Sequence, residues 1–253
     1  MKLLSIVFNF KNEENNLPEL ISRTVKTCSE ISNWDYELIF VNDNSTDKSE
    51  KVLIELQNKY PITIINMSRN FGVAPCVIAG FKNAKGDAVI YMDSDLQDPP
   101  ELIQKLVTEH DGGADIVHTV RKKRLGESKF KLLVTYIAYR IINFFSDISL
   151  PINAGDYKLI SRRALDKILE LKEHRPYIRG LSVWVGYKQS FVNYIRDARG
   201  SGQSQFPIFG SGPVNEFITG LTAYSIQPLY FGIILGFFSI IISIILIIHT
   251  FYA

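Results

Sequence analysis

The chain has 253 residues, 46% of them hydrophobic and 21% charged, and its 28 Lys and Arg against 26 Asp and Glu leave a net charge of +2. That apolar content excludes a disordered chain, and so small a charge argues against nucleic acid as the main partner. The length suits one large α/β domain with a small appendage.

Read from the N-terminus, MKLLSIVFNF is a short apolar run that meets Lys11, Glu13 and Glu14 at once. It lacks the length and cleavage region of a signal peptide, so residues 3–8 are predicted to be a first strand. Helical spacing follows over 17–31, with Pro18 tolerated in the first turn. A second strand over 36–41 ends in the polar turn Asn42-Asp43-Asn44-Ser45. A second helix spans 47–60, with Ser45 or Thr46 as its N-cap. Then come a strand over 62–67, a helix over 73–84 closed by Gly86, and a strand over 88–92 ending in Asp93-Ser94-Asp95. A helix over 99–109 carries prolines at its start, and 116–120 is a fifth strand. This alternation implies a mostly parallel sheet covered on both faces. Cys28 and Cys76 lie far apart without ligand spacing, so neither a zinc site nor a disulfide framework follows, and a reducing compartment is the default.

In open α/β sheets ligands bind beyond the carboxyl ends of the strands. Asn12-Glu13-Glu14, Asp43 with Asp47, and Asp93-Ser94-Asp95 all fall there. No GxGxxG follows the first strand and no GxxxxGK[ST] occurs, which disfavours a dinucleotide fold and a P-loop. The sharpest signal is Asp93-x-Asp95 followed by Leu96-Gln97-Asp98-Pro99-Pro100. Two carboxylates at a strand end suit one hard cation, Mg²⁺ or Mn²⁺, shared with substrate phosphates. A pyrophosphate leaving group needs such a cation as its bond breaks. The plainer reading, a solvated acidic turn capping the next helix, is outweighed by this position and this following sequence.

At these residues the chain resembles the inverting family 2 glycosyltransferases of GT-A fold. The resemblance rests on Asn12-Glu13-Glu14, Asp43-Asn44-Ser45-Thr46-Asp47, Arg69-Asn70-Phe71-Gly72 and the run from Asp93 to Glu101. Gly155-Asp156-Tyr157-Lys158-Leu159 with Arg162, and Arg196-x-x-Arg199-x-x-Gly202-x-Ser204, resemble the branch that uses polyprenyl phosphates. Dolichyl-phosphate mannose synthase and the undecaprenyl-phosphate glucosyltransferases belong to that branch. The resemblance implies that Asn9, Lys11, Glu13 and Asp43 hold the nucleotide, that Asp93 and Ser94 lie by the ribose and diphosphate, and that Arg121 contacts donor phosphate. It implies Asp95 and Gln97, with Asp93, as metal ligands, and Asp156 as the catalytic residue. Against these stand plainer roles: an Asx-turn for Asp43, helix capping for Asn12 and Glu13, and a buried structural carboxylate for Asp156.

Two points of chemistry bear on the acceptor. A sugar hydroxyl needs a general base, whereas a phosphate monoester, with a second pKa near 6, is already mostly dianionic; Asp156 is then either a base or an orienting group. The acceptor phosphate also brings about two negative charges beside a diphosphate, and unit charges about 4 Å apart repel by roughly 4 kcal/mol at an effective dielectric of 20. Cations must converge there, and Arg124, Arg196 and Arg199 with Ser204 are the candidates, arginine's fork suiting phosphate oxygens. The chain departs from the family pattern at Asn9, Lys11, Asn42 and Gln205, the last removing a cation from the acceptor loop. No Gln-x-x-Arg-Trp motif occurs, so one sugar per acceptor is expected.

Arg199 is the last basic residue apart from His249, Glu216 is the last acid, and residues 217–253 carry no Asp, Glu, Lys or Arg. Residues 229–248 are long and apolar enough to span a bilayer, and Gly232 and Gly236 form a GxxxG suited to close helix contact in a homo-oligomer. Residues 130–145 either lie in the membrane interface or are buried in the domain. The expected organisation is a catalytic domain over 1–210, a juxtamembrane segment over 211–228 and a membrane helix over 229–253. Many members of the branch carry two such helices; this sequence has room for one, so either the natural protein has a single span or the chain is a shortened one. A cytosolic donor places the catalytic domain on the cytoplasmic side. The expected reaction moves one sugar from a nucleotide sugar, UDP-glucose first, to undecaprenyl phosphate with inversion. The alternatives are transfer to a sugar hydroxyl of a lipid-linked oligosaccharide or wall polymer, and a non-catalytic nucleotide-sugar-binding protein.

Overall fold

The computed structural model describes residues 1–124, 129–173, 176–196 and 210–252. The expected alternation is present as β1 (Lys2–Phe10), α1 (Leu17–Ser29), β2 (Trp34–Asn42), α2 (Ser49–Gln57), β3 (Ile62–Asn66), α3 (Val73–Asn83), β4 (Ala88–Asp93), α4 (Ile103–Asp111) and β5 (Ile116–Arg124). Beyond the fifth strand lie α5 (Lys129–Phe145), β6 (Ala154–Ser161), α6 (Arg162–Glu170), α7 (Ile178–Trp184), β7 (Gln189–Arg196), α8 (Ser211–Ala223) and α9 (Gln227–Tyr252).

The strands form one sheet in the order β3-β2-β1-β4-β6-β5-β7. Only β6 runs antiparallel to its neighbours. Its reversal brings its first residues, Ala154-Gly155-Asp156, to the edge where the other strands end. Side chains alternate between the two faces, and both faces are covered. Ile6, Phe8 and Phe40 pack under α1, α2 and α4, while Val7, Ile39 and Tyr91 pack against α3, α6 and α7.

Several local expectations are corrected. Lys48, not Ser45 or Thr46, occupies the α2 N-cap position and makes no side-chain cap. The Asp47 carboxylate accepts the Ser49 N–H instead (3.0 Å). Gly86 does not close α3, which ends at Ala84 in extended conformation. A Cβ on Gly86 would come within 2.6 Å of the Ser5 backbone nitrogen, so glycine there permits close approach to β1. The prolines open a turn of 3₁₀ helix, Pro100–Leu102, before α4. Cys28 and Cys76 are both free and buried, and burial pushes each thiol up to about 12.

The C-terminal half settles what the apolar runs do. On α5, Tyr139 and Ile142 are buried, whereas Phe130, Leu133, Tyr136, Ile137, Ile141, Phe144 and Phe145 are exposed. One face therefore packs on the domain and an apolar face is left uncovered. Helix α9 has 26 residues, and its most apolar 18-residue stretch has a mean hydropathy of 3.0 and does not pack into the fold. At about 1.5 Å per residue it reaches roughly 39 Å, enough to cross a bilayer. Nothing lies within 4 Å of where a Cβ would stand on Gly232 or Gly236.

Candidate active site

The carboxyl ends of β1 and β2 are stitched together by their loops. Asn12 accepts the Thr46 N–H through Oδ1 (2.8 Å), the Glu13 N–H donates to Ser49 Oγ (2.8 Å), and Glu14 Oε2 accepts the Lys48 N–H (2.8 Å). Asn12 and Asn44 adopt left-handed backbone conformations, which asparagine tolerates. Glu13 Oε2 also accepts from Asn16 Nδ2 at the start of α1. Asp43 is 5% exposed, and its two oxygens accept the N–H groups of Phe71 (2.6 Å) and Gly72 (3.0 Å). It thereby holds the Arg69-Asn70-Phe71-Gly72 loop, in which the Arg69 guanidinium lies 3.9 Å from the Phe71 ring centre.

At the end of β4 the Tyr91 hydroxyl donates between Asn9 Oδ1 (2.7 Å) and Asp93 Oδ1 (2.8 Å). The buried Ser94 hydroxyl donates to the Asn9 carbonyl (2.7 Å). Asn9 and Ser94 thus brace the strand end that carries Asp93. Leu96 follows at φ 60°, a costly conformation for a bulky residue, and packs against the core. That bend turns the chain so that the Gln97 N–H donates to Asp95 Oδ1 (3.1 Å).

Gly155 and Asp156 open β6 and, as neighbours on a strand, serve opposite faces. On the Gly155 face, Asp98 has no exposure and forms a hub. It accepts from the Tyr194 hydroxyl and pairs with Arg121 Nη2 (3.5 Å) and Arg196 Nε (3.2 Å). Arg121 Nε also donates to the Tyr194 hydroxyl (3.0 Å). A Cβ on Gly155 would stand 2.6 Å from Arg121 Nη2, so only glycine lets that guanidinium lie there. Asp98 is therefore the shared counter-charge of Arg121 and Arg196.

On the other face, Tyr91 pairs with Lys158 across the β4–β6 ladder. Continuing that register by two residues sets Asp93 opposite Asp156. Arg179 of α7 grips both Asp156 oxygens, through Nε (2.8 Å) and Nη2, and its Nη1 donates to the Tyr139 hydroxyl of α5 (3.0 Å). Burial pushes Asp156 up, but Arg179, with Lys158 and Arg121 behind it, overrides burial and holds Asp156 well below the usual carboxylate range. The Arg179 and Asp156 side chains remain 28% and 21% exposed, so the pair is within a ligand's reach. Buried Lys158 donates to Ser182 Oγ (3.1 Å), and burial lowers it to about 8.

Asp93 behaves oppositely. Burial and the charges of Asp95, Asp156 and Asp98 push it up to about 7. Asp98 and Asp156 have their own arginines, so the surplus negative charge sits on Asp93 and Asp95. That surplus, with the neighbouring Gln97 amide, fits a divalent cation with oxygen ligands. Among the described residues no group of three or more His, Cys, Asp or Glu forms a metal cage.

The structure thus brings Asn9, Asp93, Ser94, Asp95, Gln97, Arg121, Asp156 and Arg196 to one edge, with Lys11, Glu13 and Asp43 in the loops that follow β1 and β2. Arg199, Ser204 and the side chain of Arg124 lie outside the described residues. Sequence reasoning missed Arg179, Tyr139, Tyr194 and the hub role of Asp98. Tyr194 shares a face with Arg196 by alternation, which was a usable signal; Arg179 and Tyr139 carry none.

A family model described as Glycosyl transferase family 2 matches residues 5–169. The chain is 39% identical over 237 residues to the uncharacterised glycosyltransferase YkcC of Bacillus subtilis, covering 92% of this chain and 72% of that protein. It is 33% identical over 241 residues to the bactoprenol glucosyl transferase of Shigella phage SfX, covering 95% and 78%. Among solved structures, Staphylococcus aureus TarS 1–349 in complex with UDP-GlcNAc aligns with a TM-score of 0.54 at 19% identity, over 81% of this chain and 62% of that one. The mannosyltransferase PcManGT of Pyrobaculum calidifontis, in complex with GDP-Man and Mn²⁺, aligns with a TM-score of 0.54 at 15% identity, over 78% and 58%. Sheet, acidic strand end and fold neighbours together define a glycosyltransferase of the GT-A fold class. The chain belongs to glycosyl transferase family 2.

Proposed function

We propose that this protein transfers one sugar from a nucleotide sugar to a polyprenyl phosphate at the cytoplasmic face of a membrane, with inversion at the anomeric carbon. The observation that carries this reading is the clamp on Asp156. A carboxylate held ionised by Arg179 is a poor proton acceptor, and a phosphate acceptor asks for none. Transfer to a sugar hydroxyl, which requires a base, fits the same geometry less well. Relatives at 32–34% identity named as bactoprenol glucosyl transferases support the choice of acceptor and make UDP-glucose the first donor to try.

An acceptor phosphate oxygen attacks the sugar's anomeric carbon opposite the diphosphate. The bond from that carbon to the diphosphate oxygen breaks, and the nucleoside diphosphate leaves with the electron pair. The nucleotide lies along Asn9, Lys11, Glu13 and Asp43, with its ribose and diphosphate by Asp93 and Ser94. Asp95 and Gln97, with Asp93, would hold Mg²⁺ or Mn²⁺, which supplies positive charge to the departing diphosphate. Arg121 and Arg196, paired with Asp98, give the site a positive wall, and the resemblance adds Arg124, Arg199 and Ser204 as contacts for the acceptor phosphate. The uncovered apolar face of α5 lies in the membrane interface and α9 crosses the bilayer.

The direct test is a screen of nucleotide sugars against the purified chain with and without undecaprenyl phosphate. The expected product is a sugar joined through one phosphate to the lipid, with inverted anomeric configuration; a retained configuration, or equal use of the lipid alcohol, contradicts the reading. Deleting residues 229–253 is expected to release much of the protein from membranes and to lower activity on long polyprenyl phosphates. Nucleotide-sugar binding should survive. Fractionation and donor titration of the shortened chain check both parts.

A further inference from the structure

Arg179 sits where three parts of the molecule meet. Its guanidinium edge holds Asp156 at the start of β6, and its remaining nitrogen reaches Tyr139 on α5. Its neighbour Gly180 packs so closely on α8 that a Cβ there would come within 2.1 Å of the Tyr224 ring. Gly220 of α8 is less tightly packed, a Cβ there standing 3.1 Å from Ile142 of α5 and 3.3 Å from Tyr177. The Glu216 carboxyl of α8 is near enough to feel the charges of Arg179 and Asp156. Helix α5 therefore bonds the residue that grips Asp156, while α8 packs on α5 and its capping residue Tyr224 packs on the neighbouring Gly180.

Without that grip Asp156 has no reason to stay where it is. It faces Asp93 across the sheet, and two carboxylates there repel. A fork that bonds both oxygens fixes the direction of the carboxylate as well as its charge, which a lysine's single ammonium does not. We propose that Arg179 is the positioning residue for Asp156, and that Tyr139 extends this control to α5, so that the helices beside the membrane set the orientation of Asp156 in the acceptor half of the site. The proposal rests on the transfer reaction above for the meaning of that half. It assigns Arg179 no contact with the reacting atoms: its effect on catalysis passes through Asp156.

The test is a double-mutant cycle in the full chain, reconstituted with lipid, nucleotide sugar and undecaprenyl phosphate. Arg179→Gln is expected to lower kcat about a hundredfold, Arg179→Lys to recover part of that loss, and Tyr139→Phe to cost about fivefold, with donor affinity held within about twofold. Placed on top of Asp156→Asn, the same substitutions should cost less than about threefold more, because the residue they act through is already disabled. Losses that multiply in full in the Asp156→Asn background overturn the proposal, as does an unchanged kcat in Arg179→Gln. If Arg179→Gln does not fold, Tyr139→Phe, which removes one hydroxyl, carries the same cycle. A wild-type chain that makes no lipid-linked product refutes the proposed function instead, and the cycle is then read on the transfer that chain does perform, water as acceptor included.

Discussion

Asp95→Asn is expected to lower sugar transfer about a thousandfold, equivalent to about 4 kcal/mol in the barrier, and to leave the thermal midpoint nearly unchanged. The size follows from the charge balance at the end of β4. Asp98 and Asp156 each have arginine partners, whereas Asp93 is raised to about 7 by burial and by the acids around it. Asp95 and Asp93 therefore provide the negative charge left over for a divalent cation. Replacing one carboxylate by an amide keeps the shape and the bond from the Gln97 N–H, so the fold has little to lose. The cation site loses half of its surplus charge. Steady-state rates across Mg²⁺ and Mn²⁺ titrations measure the loss, and EDTA should silence the wild type. Full activity in EDTA would overturn the assignment.

Asp98→Ala is expected to act on stability first. Its carboxylate has no exposure and holds Arg121, Arg196 and the Tyr194 hydroxyl, while the Arg121 and Arg196 side chains are only 9% and 13% exposed. Removing the acid leaves two nearly buried guanidinium groups without their counter-charge, a change that costs about 3–5 kcal/mol. At about 2–4 °C per kcal/mol for a chain of this size, the thermal midpoint should fall by roughly 6–20 °C. The wall formed by β5 and β7 should loosen with it, so that activity falls even below the new midpoint. Melting curves of the detergent-solubilised variant beside Asp95→Asn separate the two cases: one loses stability and activity together, the other activity alone. A midpoint within about 2 °C of wild type would show that Asp98 is not the hub its contacts describe.

The two substitutions also divide what was readable in the chain from what was not. Asp93 and Asp95 were legible as a strand-end pair because their geometry is local, and Gln97 came from the resemblance. A strand must end where an apolar run meets acids and prolines, and residues one apart at such an end can share a ligand. Asp98 belongs to the same run, yet its partners come from β5 and β7, 23 to 98 residues away. Asp43 was assigned to the nucleotide by resemblance, and nothing in its turn signalled that its oxygens accept the N–H groups of Phe71 and Gly72, 28 and 29 residues on.

Hydrophobic periodicity is a property of neighbouring residues, and it was enough to place five strands and four helices and to anticipate a covered, mostly parallel sheet. It also marked α9 as a candidate membrane span, since length and composition alone decide whether a helix can cross. The sequence left open whether Asp156 is a base or an orienting group, and whether residues 130–145 are buried or face outward. Only the tertiary structure decided that Asp156 is paired, because the guanidinium that depresses its pKa arrives on a helix 23 residues later, by a packing contact no local pattern encodes. It likewise decided that α5 turns Tyr139 inward to that arginine and leaves its apolar face uncovered. Charges act through space: the protonation of an acid is set by whatever the fold brings within a few ångströms, not by the residues beside it in the chain.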